Sequence, residues 1–550
     1  MARGEAYFVT DRASAPHVAA VLTLVALGHL SLIPNVADLD GFYHVGHALA
    51  YLHGSPLDTS LPWATQSAIG DLGGDLWWGF HILLTPFVAA GSVPLALLAA
   101  GVTLTAALGL STMRILQRHG LPLAGLWAAL SLIAVPNVFF RFLMVRPHMI
   151  SMTASIALLS VLVRGRWWHV LMLSALISWV HLSLFWVAPA VTVAYALARV
   201  PVTVALGRTT PDTGVAIRHA LPASFAGIVL GWLLRPDPWA ATALLNVQLL
   251  QLFAEKSAGQ PLTFSAELNP IGSGELMRTA WFFLIAWAAS VVVTLRSMWR
   301  GRFATLGQAN GTLVAAALLL SAAFLALAVL SARRALEQWV AFGMVVVPFA
   351  WSLLGRPPEA ALPQGLGPSW VAALVNRLRA MGPLRFVLAA LLAGHLAWGI
   401  HRHQQNVQLV ARPATTLRAV ATHLEENSAA GDIVFHARWD NFGPLFAFNR
   451  SNRYLGGMDP IFQFAHDPQS YWEFFYLSSD LNTSWTCDAY PCTAGVATDT
   501  HEALTQHFGA RWVVVQPTRN PRFTLYLLND DRYALELETQ SEALFRVLDR

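Results

Sequence analysis

Apolar residues in this chain come in blocks of about 17 to 25, divided by short breaks that carry arginine. A helix rises about 1.5 Å per residue, so a block of that length matches a hydrocarbon core ~30 Å thick. The pattern predicts eleven membrane helices, at 18–36, 93–113, 122–140, 147–163, 168–182, 184–200, 219–234, 279–296, 311–332, 338–355 and 384–401. No small-residue cleavage pattern follows the first block, which reads as a membrane helix and not as a cleavable signal. The stretch LWWGFHILLTPFVAAG at 76–91 is apolar enough to be another span, and charge decides against it. If it crosses, the arginine-bearing breaks at 114–118, 164–166, 199–218, 296–302 and 356–385 mostly face outward. If it lies along the outer interface, all five are cytoplasmic, where positive loops belong. Its shortness and the Trp77–Trp78 pair suit an interfacial helix.

This choice leaves few outward segments: 37–91, turns near 141–146, Ser183 and 332–338, the loop 236–278, and everything after about residue 401. The Pro/Gly-rich stretch 356–383 reads as a cytoplasmic linker or surface helix. From about Thr415 the composition changes. Short β-type runs at 432–435 and 511–516 alternate with helix-like stretches at 416–427 and 500–508, an α/β pattern without a phosphate-loop or dinucleotide motif. The expected fold is a polytopic α-helical membrane protein over 1–403 with a C-terminal α/β soluble domain over 404–550.

Composition agrees with this reading. Of 550 residues, 55% are hydrophobic and only 12% charged, with a mean hydropathy of +0.50; soluble proteins carry about twice that charge fraction. The net charge of +4 comes from arginines at helix ends and not from a clustered patch, which argues against a nucleic-acid partner. Cys487 and Cys492 lie close together in the tail, a spacing open both to one local bridge and to two free thiols. An Ala/Leu/Arg-rich chain without organelle signals predicts a bacterial inner-membrane protein with a periplasmic tail.

Candidate chemistry concentrates in the first outer loop, NVADLDGFYHVGHALAYLHG at 35–54. Asp38 and Asp40 stand two apart just beyond the first span, and His44 and His47 follow on one face of any helix that begins near Phe42. Carboxylates at a membrane interface are costly to desolvate and point to use; the plainer alternative is that they solvate a turn. At the outer turn RFLMVRPHM, 141–149, arginines run against the positive-inside trend. A lipid phosphate is a natural partner for a guanidinium, and a snorkelling helix-end arginine is the alternative. Arg333 and Arg334 in SARRALEQW break the same trend, with Glu337 at helical spacing from Arg334. Glu267, in SAELNP, is a candidate second acid.

The segment DLDGFYH resembles the first-loop motif of GT-C fold glycosyltransferases, in which an acidic pair follows the first membrane helix. Its D-G-F-Y-H form is most similar to the corresponding segment of oligosaccharyltransferase catalytic subunits and their bacterial and archaeal relatives. The resemblance implies that Asp40 is the catalytic carboxylate, activating the acceptor or binding a divalent cation beside it, with Asp38 in support. The stretch LPWATQSAIGDLGGDLWWGFHILLTPF is similar to the interfacial helices that lead that family into its second span. Arg146-Pro147-His148 resembles the outer turn between the third and fourth spans of aminoarabinose-transferase and protein O-mannosyltransferase enzymes, and Arg333 and Arg334 fall where related proteins contact a donor phosphate.

Two departures stand out. The tail lacks the Trp-Trp-Asp-type motif that binds peptide sequons, SYWEFFYL at 470–477 being no substitute, and the turn at 141–149 lacks an Asp/Glu pair to complete a metal site. Imidazoles from His44, His47, His81 and His148 are the alternative ligands. The expectation is therefore a glycosyltransferase that uses a polyprenyl-phosphate- or pyrophosphate-linked sugar. Arg146, His148, Arg333, Arg334, His44 and Glu267 would bind its head group. The acceptor would be a protein, lipid or glycan. A divalent cation, Mg²⁺ or Mn²⁺, would sit near Asp40, His44 and His148. The rival readings are a transporter or flippase of lipid-linked sugars and a non-catalytic membrane assembly protein.

Overall fold

The computed structural model describes residues 15–206, 214–263, 265–354, 382–493 and 497–548. Nearly all of the stretch 356–383 lies outside them. Among the described residues, five helices are long and apolar enough to cross a membrane: Val93–Arg118, Leu182–Val202, Ser273–Trp299, Arg302–Leu330 and Arg333–Leu353. Counting each of two sharply bent pairs as one span makes seven. The chain is a helical membrane protein with a C-terminal α/β region.

The bends have local causes. The block expected as one span over 122–140 is two helices, Ala124–Leu132 and Pro136–Phe142, meeting at 97°. Pro136 has no N–H to give a helix running through it, and it holds Val135 extended, at φ −130° and ψ 109°. The second pair, Ile217–Leu233 and Pro238–Ser257, turns by 108°. There Asp237 accepts a hydrogen bond from the Ala240 N–H and starts a new helix with Pro238 at its first position. The stretch 76–91 forms the 12-residue helix Trp78–Ala89, which at about 1.5 Å per residue is too short to span. The first helix stops at Leu30, short of the expected 36, because the chain then turns through Pro34 into a strand.

That strand, β1 (Asn35–Val36), pairs antiparallel with β3 (Arg412–Pro413) at the start of the tail. A second short strand of the first loop, β2 (Ala64–Thr65), pairs in parallel with β5 (Arg453–Leu455). It thereby becomes the edge of the tail's six-stranded sheet. That sheet also holds β4 (Ile433–His436), β8 (Ala510–Val515), β9 (Tyr533–Glu538) and β10 (Ala543–Val547), in the order β2-β5-β4-β8-β10-β9. Side chains alternate across it. Val434, Trp512 and Val514 face the core shared with the membrane helices, while Phe435, Val513 and Val515 face a separate core on the far side. A small ribbon of β6 (Trp485–Cys487) and β7 (Ala497–Asp499) lies apart from the sheet. Beside it the Cys487–Cys492 bridge is formed.

The first-loop helix Asp40–His53 packs against the tail helix Phe442–Phe448 through glycines. A Cβ on Gly443 would meet Leu39 O at 2.8 Å, and one on Gly46 would meet Phe446 Cδ1 at 2.8 Å and the Ala447 Cα at 3.1 Å. Gly46→Leu therefore overpacks this crossing. We expect a loss of about 1–3 kcal/mol, seen as a lower unfolding midpoint and faster proteolysis ahead of the tail. An unchanged midpoint would show that the two helices separate without cost.

Candidate functional site

Four segments distant in sequence deliver the charges of the site. Asp38 and Asp40 sit at the start of the helix Asp40–His53, where the first loop turns back over the bundle. Asp40 lies in the first turn, where the helix dipole favours a carboxylate. Arg141 and Arg146 flank the break between Pro136–Phe142 and His148–Arg164. Glu267 comes from the short helical turn Ala266–Leu268 ahead of the helix Ser273–Trp299, and Glu337 from the start of the central helix Leu336–Leu354.

Arg146 is the hub. Its Nη2 lies 2.8 Å from Asp40 Oδ2, its Nε donates to Asp38, and its Nη1 donates to both oxygens of Glu267 at 3.0 and 3.2 Å. Each nitrogen of the guanidinium thus meets a different acid. Arg141 extends the network, with Nη1 at 2.6 Å from Glu267 Oε2 and Nε on Glu337. His148 Nε2 lies 3.0 Å from Glu337 Oε2 but does not align as a hydrogen bond. Arg334 reaches Glu267 at 4.0 Å and is a third exposed, at 34%. Arg333 turns away and pairs with Glu275 at 2.9 Å. Of the expected residues, Asp38, Asp40, Arg146, His148, Arg334 and Glu267 therefore converge, and Arg333 does not join them.

The tail adds an acid absent from the sequence reading. Three successive residues, Gly456, Gly457 and Met458, have positive φ, and they carry the chain to Asp459, next to the cluster. A non-glycine residue at φ 57° is the kind of backbone strain that collects at functional sites. The GGMDP run was the available signal, with Asp ahead of a helix-starting Pro. Counting Asp459, five carboxyl groups face the three guanidinium groups of Arg141, Arg146 and Arg334.

The acids are not equivalent. Burial alone would raise Glu267, yet Arg141, Arg146 and Arg334 hold it well below the usual carboxylate range. Asp40 goes the other way. Burial pushes it up to about 7, Arg146 opposes this only in part, and Asp38, Glu267 and Asp459 add to it. Asp459 is raised as well, by burial and by Glu267. A carboxyl that exchanges its proton near neutrality, beside others that stay ionised, is the arrangement suited to general acid–base work.

Two further features border the cluster. A cavity of about 390 Å³ with mostly apolar walls, among them Leu32, Ile33, Leu95, Leu97 and Leu143, runs up to Asp38. One turn along the first-loop helix from Asp40, His44 Nδ1 lies 2.8 Å from His81 Nε2, and His81 Nδ1 lies 2.7 Å from Asp75 Oδ2. His44 is thus engaged by His81. Burial, then His81 and Arg146, hold it well below its ordinary value and keep it neutral.

No protein-family model matches this chain, and no curated protein sequence matches it.

The cluster makes two stability predictions. Arg146→Ala strands Asp38 and Asp40 without a partner, leaves Glu267 to Arg141 and Arg334, and should cost about 3–5 kcal/mol, measured by denaturant or thermal unfolding; Arg146→Lys, a single point charge, should recover only part of it. Asp40→Asn should have the opposite sign. A carboxyl raised from 3.8 to about 7 contributes stability that is present below its unfolded value and lost as pH rises through its folded one. The variant's advantage over wild type should grow between those two values and then level off. A constant difference across that range would show that Asp40 is not raised.

Proposed function

We propose that the protein is a membrane glycosyltransferase that moves a sugar from a polyprenyl-phosphate- or pyrophosphate-linked donor to an acceptor at the outer face of a bacterial inner membrane, with Asp40 as the catalytic carboxylate. The observation that carries this reading is the pairing of Asp40, whose proton is exchangeable near neutrality, with a mostly apolar cavity that its neighbour Asp38 helps to line. A lipid tail suits the cavity, and its head group then falls among the arginines and acids. In this reading eleven helices cross the bilayer and the tail is periplasmic; the Cys487–Cys492 bridge favours an oxidising compartment.

Asp40 takes the proton of the acceptor nucleophile as that atom bonds to the anomeric carbon. The bond from that carbon to the phosphate oxygen breaks, and the phosphate leaves with the electron pair, inverting the configuration. Arg146 has all three nitrogens on carboxylates and acts by holding Asp38, Asp40 and Glu267 in place. Arg334, held only at 4.0 Å, is the guanidinium left to meet the negative charge on the leaving phosphate. The excess of acids over arginines suits a divalent cation, Mg²⁺ or Mn²⁺, whose hard oxygen preference matches Asp38 and Asp40. Bound there, it would neutralise phosphate charge.

The test is release of polyprenyl phosphate or pyrophosphate from a panel of lipid-linked sugars, with purified protein, candidate acceptors and divalent metal. Asp40→Asn should lower the rate by about 10²–10⁴-fold. The wild-type rate should rise with pH through about 7, because the base works only after losing its proton. Release that persists in Asp40→Asn would remove Asp40 from the chemistry. Movement of the lipid-linked sugar across liposomes without bond cleavage would replace the enzyme by a flippase.

A further inference from the structure

Two turns along the first-loop helix from Asp40, a second group of polar side chains is sealed in the protein. His47, Asp75 and His81 each offer one ligand-type atom, and these atoms lie within 4.8 Å of one another. All three residues are buried. They come from the helix Asp40–His53, the loop before Trp78–Ala89, and that helix itself.

Almost every polar atom here has a partner. Asp75 Oδ1 accepts the Trp77 N–H at 2.8 Å, and Oδ2 accepts the Tyr51 hydroxyl at 2.8 Å. His81 Nε2 faces His44, and His47 Nδ1 faces the Tyr43 hydroxyl at 3.2 Å. The exception is His47 Nε2, which is buried and has no hydrogen-bond partner among the described residues. An unpaired imidazole nitrogen in a dry interior is costly, and a metal ion supplies the partner it lacks.

The geometry points to a buried transition-metal centre of the zinc class at His47, Asp75 and His81, with Tyr51 as its fourth ligand. Two imidazoles favour zinc-class ions over magnesium or calcium. Charge selects the fourth ligand. The Arg235 guanidinium donates to the Asp75 carbonyl at 2.8 Å, so a divalent ion held by one carboxylate alone would leave several positive charges buried together. Tyr51 already touches Asp75. On binding, its O–H bond breaks, the proton goes to solvent and the phenolate oxygen bonds to the metal, so that two anions balance the two charges of the ion and only that of Arg235 remains. The His81 Nδ1 hydrogen moves to Nε2, which donates to His44 Nδ1, and the hydrogen of His44 moves to its own Nε2. Tyr43, His44 and Trp77 form the surrounding layer that orients the ligands. Four protein ligands close the coordination sphere, which makes the centre structural. It pins the helix that begins at Asp40 to the helix Trp78–Ala89 and does not depend on the glycosyltransferase reading.

The experiment is metal analysis of the full chain, stripped with chelator, equilibrated with zinc or cobalt and desalted. Wild type should hold about one ion per chain, and cobalt should show the intense visible absorption of a four-coordinate site. His47→Gln should lose the ion, and Tyr43→Phe should bind at least ~10-fold more weakly. Asp40→Asn should keep the ion, which separates this centre from any cation at the arginine cluster. If His47→Gln fails to fold, zinc added to stripped wild type should raise its unfolding midpoint. Wild type that retains no metal and gains no stability from zinc, or a folded His47→Gln that binds as much as wild type, would overturn the proposal.

Discussion

Burying charge beside a lipid bilayer is expensive, and the structure meets that expense at Arg146. Its guanidinium joins two acids of the first loop to one of a later loop. Without it Asp38 and Asp40 would stand unpaired where water is scarce, and Glu267 would be left to Arg141 and Arg334. With it, the first-loop helix and the loop carrying Glu267 are tied to one point beside the bundle. The raised proton affinity of Asp40 follows from the same arrangement, because one cation shared among several acids leaves the last of them under-compensated. The reactivity assigned to Asp40 and the cohesion assigned to Arg146 thus have a common electrostatic origin.

The rest of the architecture holds that cluster steady. The first loop is fastened to the tail at several places: through β1 and β3, through β2 and β5, by the Trp63 indole N–H on Arg450 O at 2.6 Å, and by the glycine crossing at Gly46 and Gly443. The core is continuous from the membrane helices through Phe42 and Phe442 to the near face of the sheet. The tail is therefore part of the wall of the site, and Asp459 is its contribution to the charge.

Much of this was legible along the chain, and the failures have physical reasons. Hydropathy located the helices, because an apolar block is conspicuous whatever it packs against. It missed the break at Pro136, where a proline inside a uniformly apolar run changed direction without changing composition. Charge that runs against the positive-inside trend drew attention to Arg146 and Arg334, and short spacing to Asp38 and Asp40. Arg333 has the same sequence signal as Arg334 and a different fate, since only the packing decides which of two adjacent arginines faces Glu267 and which faces Glu275. β1 and β2 are two residues each, too short for any alternation to show. Asp75 and Tyr51 gave no sign at all, because their partners are set by how two helices lean together.

The pairing of β2 with β5 also has a consequence in time. Thr65 and the Tyr454 carbonyl that it contacts are 389 residues apart. At synthesis rates of about 5–20 residues per second, the first loop waits on the order of 20 to 80 s for the strand that completes it. Through that interval the loop carrying Asp40 has neither its sheet neighbour nor Asp459. A ribosome that stops before residue 453 leaves β2 without β5, so the fold of the first loop reports whether synthesis has passed that point.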